Sequence, residues 1–202
     1  MNLLAHAYLG RDLSMESNAF NVLWDFVSRD YLQDSREVVL QGRYRHLAID
    51  RLANEQAWFA RSRKLISRER RKAAPVLVDI FCDYLLIQEW GQIASLGSEH
   101  LIEHFMPNLF QGARPEGAPL LRMARIIRDQ HWLDDYRTIN GLGRVFSRIS
   151  RRSSPRLAAM LMGAEEELQN LESQFLSGFP DFIKNLDRQI RTQKTVKSGL
   201  LD

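Results

Sequence analysis

The sequence has 202 residues, with 28 lysine and arginine residues against 25 aspartate and glutamate residues, so its formal net charge is +3. Hydrophobic residues make up 45% and charged residues 26% of the chain, fractions that argue against disordered, coiled-coil and fibrous classes. No segment approaches the roughly 18 apolar residues that a membrane span needs, and the first residues form no basic leader, so we expect a cytoplasmic protein. The single cysteine, Cys82, excludes an internal disulfide and a thiolate zinc cluster.

Apolar residues recur at spacings of three and four along almost the whole chain, which predicts an all-α protein. The length suits one domain with one core, so we expect a single helical bundle over residues 1–190 and a flexible tail at 191–202. The predicted helices are Leu3 to Leu9, Glu16 to Tyr31, Ser35 to Arg61, Ser67 to Gly91, Glu99 to Phe105, Ala118 to Gln130 and Asp134 to Arg151.

Capping signals divide the rest of the chain. Ser154 and Pro155 predict the start of a long helix, Gly178 with Pro180 predicts a break, and a further helix is expected up to Thr192. The stretch from Met106 to Pro119 is rich in proline and glycine and predicts a loop.

The segment "PVLVDIFCDYLL" places Asp79 and Asp83 in an otherwise apolar helix that begins at Pro75. Residues four apart share a helix face, and a helix that is apolar nearly all round is usually an interior one. A buried carboxylate either takes up a proton or needs a compensating charge. We therefore expect a cation near this pair, either a basic side chain or a metal ion.

Histidines and further acids occupy similar apolar faces. His46 and Asp50 lie four apart in "YRHLAID", a spacing that directs both side chains to one point. His6 in "LLAHAYL" and Asp25 in "FNVLWDFV" also stand among apolar neighbours. Carboxylates with imidazoles suit Mn²⁺, Fe²⁺ or Mg²⁺ better than a structural zinc. The alternatives are a hydrogen-bonded core histidine for His6 and an arginine partner for Asp25.

A run of basic residues precedes the acidic helix. Such a basic segment can attract an acidic protein, a phosphorylated ligand or nucleic acid, or it can be a solvated helix face. Aromatic residues are not interleaved with the run, so a single-stranded nucleic acid ranks last among these partners. The members of the basic segment are Arg61, Arg63, Lys64, Arg68, Arg70, Arg71 and Lys72.

Six segments together resemble, in order and at approximate spacing, the bacterial acyl carrier protein phosphodiesterases, which are relatives of the helical HD-type metal-dependent phosphohydrolases. They are "MNLLAHAYL", "NVLWDFV", "GRYRHLAID", "AAPVLVDIFCDYLLIQEW", "HWLDDYR" and "RRSSPRL". The resemblance covers Met1 to about Phe182. It implies an all-helical, HD-like single domain that hydrolyses the phosphodiester between 4′-phosphopantetheine and a serine of holo acyl carrier protein, with Mn²⁺ as the expected metal.

The resemblance also assigns roles. The residues expected to hold or orient the divalent ion are His46, Asp50 and Asp79. Asp25, Asp83 and His6 are expected to have catalytic roles, and they could also act as further ligands or as partners of the ligands. One of the two carboxylates would take a proton from water, and the histidine would help to protonate the leaving serine oxygen. The basic segment would dock the acidic carrier protein.

The sequence departs from the family pattern at positions near these residues. Histidines are replaced by Tyr8, Tyr44 and Tyr84, an arginine by Leu47, an aspartate by Asn54 and a glycine by Phe20. Tyrosine, with a pKa of about 10, is a poor metal ligand at neutral pH, and leucine cannot make the bidentate phosphate contact of arginine. Two alternatives therefore stay open: a homologue that binds acyl carrier protein without turnover, and an HD-type phosphohydrolase that acts on nucleotides.

Overall fold

A computed structural model describes residues 2–94 and 98–198, with the side chains of 98–101 and 193–198 left out of the description. The described residues form helices and turns without a strand, which confirms the all-α prediction. The helices of this part of the chain are α1 (Leu3–Leu9), α2 (Met15–Tyr31), α3 (Glu37–Glu55), α4 (Ala57–Leu65), α5 (Ala74–Gln88), α6 (Trp90–Ile93), α7 (Ser98–Ala113), α8 (Ala118–Asp129), α9 (Trp132–Asp135), α10 (Ile139–Ser150), α11 (Pro155–Leu161), α12 (Ala164–Leu176) and α13 (Phe179–Ser198).

Several predicted helices are divided. The expected helix from Ser35 to Arg61 breaks at Gln56, whose backbone is extended (ψ 137°) between α3 and α4. The helix expected from Ser67 begins only at Ala74, because Pro75 suits a first turn and not a helix interior. Thr138 starts α10 by accepting a hydrogen bond from the backbone N–H of Gly141, which separates α10 from α9.

The predicted loop from Met106 to Pro119 is wrong, because α7 continues to Ala113 with Pro107 inside it. Phe105, Leu109 and Ala113 are spaced four apart and all are buried. Burial of this stripe outweighs the local proline and glycine signals, since tertiary packing stabilises most helices in proteins.

The last helices follow the predicted capping signals in part. Ser154 caps α11 with its side chain, as expected. Gly163 adopts a left-handed conformation (φ 69°) and divides the expected long helix into α11 and α12, while Gly178 (φ 78°) forms the predicted break. The helix α13 continues beyond the expected end at Thr192 to Ser198, and residues 199–202 lie outside the described part.

The packing of α1, α2, α3 and α5 determines where the polar residues meet. The helix α2 packs along α3, and α1 contacts both α2 and α5. A Cβ atom added at Gly42 of α3 would lie 2.4 Å from both Phe20 Cβ and the Ser17 carbonyl oxygen of α2. Gly42 therefore permits a close helix crossing one turn before His46. Cys82 is buried in the core, as expected.

Within the described residues, no helix is both long enough and apolar enough to cross a membrane.

Candidate active site

Asp83 binds the first turn of α1, the helix that carries His6. The backbone N–H groups of Leu4 and Ala5, in the first turn of α1, donate to the two carboxylate oxygens of Asp83 at 3.0 Å each. The side chain of Asn2, at the N-cap position of α1, makes no capping bond, so this acid from α5 satisfies two N–H groups that a helix start leaves unpaired. Burial raises the pKa of Asp83 to about 7. Among the described residues, backbone amides contact this carboxylate, and the expected cation near the pair stays a prediction.

His6, His46 and Asp50 converge in a cluster at the crossing of α1, α2 and α3. One ligand atom from each lies within 4.8 Å of the others. Nε2 of His6 lies 3.3 Å from Asp50 Oδ1, and Nε2 of His46 lies 3.3 Å from Asp50 Oδ2. The two imidazole rings stack with their centroids 4.3 Å apart. Both histidines are buried, while the side chain of Asp50 is 34% exposed.

Asp25 forms the outer edge of this cluster. Its Oδ1 lies 3.1 Å from His46 Nε2, and its side chain is 69% exposed. The hydrogen bond with His46 lowers the pKa of Asp25, so this carboxylate is ionised at neutral pH. The site thus has buried imidazoles behind an acidic edge that reaches solvent.

Asn21 orients both imidazole rings. Its amide nitrogen donates to the His6 carbonyl oxygen at 2.7 Å and to Asn18 Oδ1 at 2.9 Å, so its amide oxygen is an acceptor for His6 Nδ1 at 3.1 Å. The backbone carbonyl of the same residue lies 2.8 Å from His46 Nδ1. Nδ1 of each histidine must therefore carry a proton, and each Nε2 lies 3.3 Å from an oxygen of Asp50. A bond that fixes one ring nitrogen in this way is typical of metal-ligating histidines.

The two imidazoles differ in basicity. Burial lowers the pKa of His6 to about 4, so this ring is neutral at neutral pH. Burial also opposes protonation of His46, but the hydrogen bond and charge of Asp25 outweigh it and raise the pKa of His46. For Asp50, burial is outweighed by the charged groups around it, which include protonated His46, and the pKa lies well below its usual range.

The arrangement fits a divalent cation. Among the described residues, His6 Nε2 is a buried polar atom without a hydrogen-bond partner, although it lies beside a carboxylate. A neutral imidazole that is protonated at Nδ1 carries a lone pair on Nε2, and this atom lies 3.3 Å from an oxygen of the ionised Asp50 carboxylate. Two electron-rich atoms at this distance repel each other. A cation held by these residues would remove the repulsion, and imidazole with carboxylate suits Mn²⁺ or Fe²⁺.

Asp79, the other predicted ligand, lies outside the three-residue cluster of the described chain. It is half-buried, and burial together with the charge of Asp50 raises its pKa. Its role as a ligand stays a prediction. The predicted catalytic role of Asp83 is likewise untested, and its contacts give it a positioning role.

The departures from the family pattern are dispersed around the cluster. Tyr44 and Leu47 are exposed on α3. Tyr84 is buried, and its hydroxyl donates to Glu172 of α12. Tyr8 packs edge-on against Trp90. The remaining two lie on α2 and α3: Phe20 is buried at the crossing with Gly42, and Asn54 donates to the Asp50 carbonyl oxygen at 2.7 Å.

Much of the basic segment is engaged within the chain. Arg70 donates to the carbonyl oxygens of Met160 and Met162 and pairs with Glu167 at 3.1 Å. Three other arginines also donate to oxygens of the chain, whereas the remaining members are exposed. The engaged arginines are Arg61, Arg63 and Arg71, and the exposed members are Lys64, Arg68 and Lys72.

A cavity of about 440 Å³ lies on the other side of α1, between α2, α6 and α7. Its lining is mainly apolar and includes Tyr8, Trp90 and Phe105. It shares Asn18 with the hydrogen-bond network of Asn21, but the clustered histidines and Asp50 do not line it. The cavity is therefore adjacent to the site and separate from it.

Asn21 was not among the site residues predicted from the sequence. Its position four residues before Asp25 was the available signal, because this spacing puts both side chains on one face of α2.

Comparison with known proteins identifies a family. Residues 1–186 match the family model described as acyl carrier protein phosphodiesterase. Curated relatives with that name include one from Klebsiella pneumoniae, 25% identical over 91% of this chain and 96% of its own length. Another from Serratia proteamaculans is 27% identical over 94% of this chain and 100% of its own length. One from Escherichia coli is 24% identical over 94% of this chain and 99% of its own length. No solved structure matches.

Proposed function

The chain belongs to the acyl carrier protein phosphodiesterase family, and from this membership we propose that it hydrolyses holo acyl carrier protein with the help of a divalent cation. The reaction adds water to phosphorus and breaks the bond to the serine oxygen, which releases 4′-phosphopantetheine and the apo carrier. The observation that carries the metal dependence is His6 Nε2, buried without a hydrogen-bond partner in the described chain and 3.3 Å from Asp50.

We infer that His6, His46 and Asp50 hold the cation, with Asp79 as a further predicted ligand. When bound, the cation supplies Lewis acidity that lowers the pKa of water and neutralises charge at the phosphate. Mn²⁺ is the expected ion, and Mg²⁺ or Fe²⁺ can bind the same type of donor. The geometry favours His6 as a ligand over the proton donor that the resemblance implies, because its Nδ1 proton is held by Asn21.

Asp25 is the better candidate for the base. It is ionised and exposed at the edge of the cluster, whereas both oxygens of Asp83 are occupied by backbone N–H groups inside the protein. Asp25 takes a proton from the attacking water and can return it to the departing serine oxygen, so one side chain serves as both base and acid.

Intact-protein mass spectrometry tests this function. Purified protein with Mn²⁺ should convert holo acyl carrier protein to the apo form, and Asp50→Ala should abolish the conversion. Asp134→Ala is the matched control, because this exposed acid pairs with His131 outside the cluster. Absence of conversion by the wild type at every metal concentration would refute the proposal. Binding without turnover would identify a noncatalytic homologue, and turnover of nucleotides in place of the carrier would identify the other alternative.

A further inference from the structure

The exposed edge of the site is formed by α2 and α3. The Asp25 side chain is largely exposed and that of Asp50 is about one-third exposed, while the histidines behind them are buried. Asp25 belongs to α2 and Asp50 to α3. A substrate therefore approaches the cluster across the outer surfaces of these two helices.

Exposed apolar side chains flank this edge. Phe26 follows Asp25 on α2, and Leu47 lies three residues before Asp50 on α3, which places it on the same side of that helix. Tyr44, also exposed, precedes Leu47 by three residues and so lies on the same side of α3. Large exposed apolar side chains at the rim of a site are suited to contact with a protein partner.

Arginines accompany these apolar residues. Arg43, four residues before Leu47, places its guanidinium 5.6 Å from the centre of the Trp24 ring. Arg29 is exposed three residues after Phe26. Aromatic residues and arginine are enriched in protein interfaces, and the arginines supply positive charge beside the acidic site.

We propose that acyl carrier protein docks on this surface, formed by Phe26, Arg29, Arg43, Tyr44 and Leu47, which we call the docking face. The inference rests on the proposed function. The cleaved phosphorus is bonded directly to the serine oxygen of the carrier, so the carrier surface around that serine must lie within one side-chain length of the cluster. Within the described residues, the surface bordering Asp25 and Asp50 meets this requirement, and its arginines complement an acidic partner.

The docking face borders the candidate site, whereas several arginines of the basic segment are engaged in contacts within the fold. Arg70 and Arg61 of the basic segment hold the turns beside α12 through backbone carbonyls, so they are committed to the fold. The exposed Arg68 and Lys72 can attract an acidic partner at a distance, but the short-range contacts belong to the docking face.

Equilibrium binding of holo acyl carrier protein, measured by fluorescence anisotropy without divalent cation, tests the proposal. Leu47→Glu and Phe26→Glu should each weaken binding by about 10-fold or more, because each removes an apolar contact and adds a charge that repels an acidic partner. Met162→Glu is the matched control, since Met162 is also an exposed large apolar residue but lies between α11 and α12. Its binding should stay within about 2-fold of wild type.

Three outcomes would overturn the proposal: no saturable binding by the wild type, undiminished binding by Leu47→Glu, or weakening that is confined to an Arg68→Glu, Lys72→Glu double variant. Thermal melts of the variants establish that each is folded. Binding that follows the predicted pattern without any conversion in the Mn²⁺ assay would refute the proposed function and leave the docking face intact. The two proposals therefore fail separately.

Discussion

Asn21 acts on two histidines through two different atoms. Its side-chain oxygen accepts from His6 Nδ1 and its backbone oxygen accepts from His46 Nδ1. Only the first of these contacts depends on the side chain. A substitution at this position should therefore change the hydrogen bond of His6 and leave that of His46 in place.

We expect Asn21→Ala to change the tautomer of His6 alone. In the metal-free wild type, long-range ¹H–¹⁵N correlation spectra should show neutral His6 with its proton on Nδ1. In the variant the proton should move to Nε2, where Asp50 accepts it, and divalent-metal affinity should fall by about 10–100-fold. The Nδ1 signal of His46 should persist, because the backbone carbonyl remains.

Asn21→Asp is the conservative control for this change. It keeps an oxygen that accepts from His6 Nδ1, so the wild-type tautomer should return even though the donor to the His6 carbonyl is lost. An Nε2-protonated His6 in the wild type would contradict the assignment.

At the scale of the helices, the close crossing of α2 and α3 holds His46 against Asn21. Gly42→Ala should force the helices apart, because its Cβ would meet Phe20 Cβ and the Ser17 carbonyl oxygen at 2.4 Å. We expect a loss of about 1–3 kcal/mol in the free energy of unfolding, measured by urea denaturation, and weaker Mn²⁺ binding.

Gly91→Ala is the matched control for Gly42→Ala, since an added Cβ at this helical position meets no atom within 4 Å. The control should be neutral or slightly stabilising, because alanine has the higher helix propensity. Equal unfolding free energies for the two variants would show that the crossing tolerates a side chain.

Burial of Asp83, where α5 meets the start of α1, makes stability depend on pH. The pKa of Asp83 is about 7 in the folded protein and about 3.9 in the unfolded chain. Because the pKa is higher in the folded protein, the protonated carboxyl group of Asp83 favours the folded state. Its contribution to the free energy of unfolding is fully present below pH 4 and is lost as the pH rises towards 7.

Comparison with Asp83→Asn isolates this titration from that of His6, whose lowered pKa acts in the opposite direction. The unfolding free energy of the wild type minus that of the variant should decrease by about 1–3 kcal/mol between pH 5 and pH 8. Urea denaturation of the metal-free proteins measures it. A difference that stays constant or grows would show that Asp83 is not the titrating group.

At the scale of the whole molecule, sequence patterns predicted what depends on local periodicity. The bounds of α1 and the break at Gly178 follow from apolar spacing and glycine chemistry. The division at Gln56 and the continuation of α7 through Pro107 depend on contacts between distant segments. Such contacts leave no local signal.

Prediction of the candidate site from the sequence has the same limit. Charged and imidazole side chains in apolar helices are conspicuous in a sequence, so His6, His46 and Asp50 could be selected before their convergence was known. The contacts that distinguish Asp83 from Asp25 could not be read in this way, since one accepts backbone N–H groups from a helix far away in the sequence and the other meets solvent.

The metal centre is tested most directly by anomalous diffraction from crystals grown with Mn²⁺. We expect one anomalous peak bounded by Nε2 of His6, Nε2 of His46 and the carboxylate of Asp50. A peak held by other residues, or no peak at an Mn²⁺ concentration that supports conversion of holo acyl carrier protein, would contradict it.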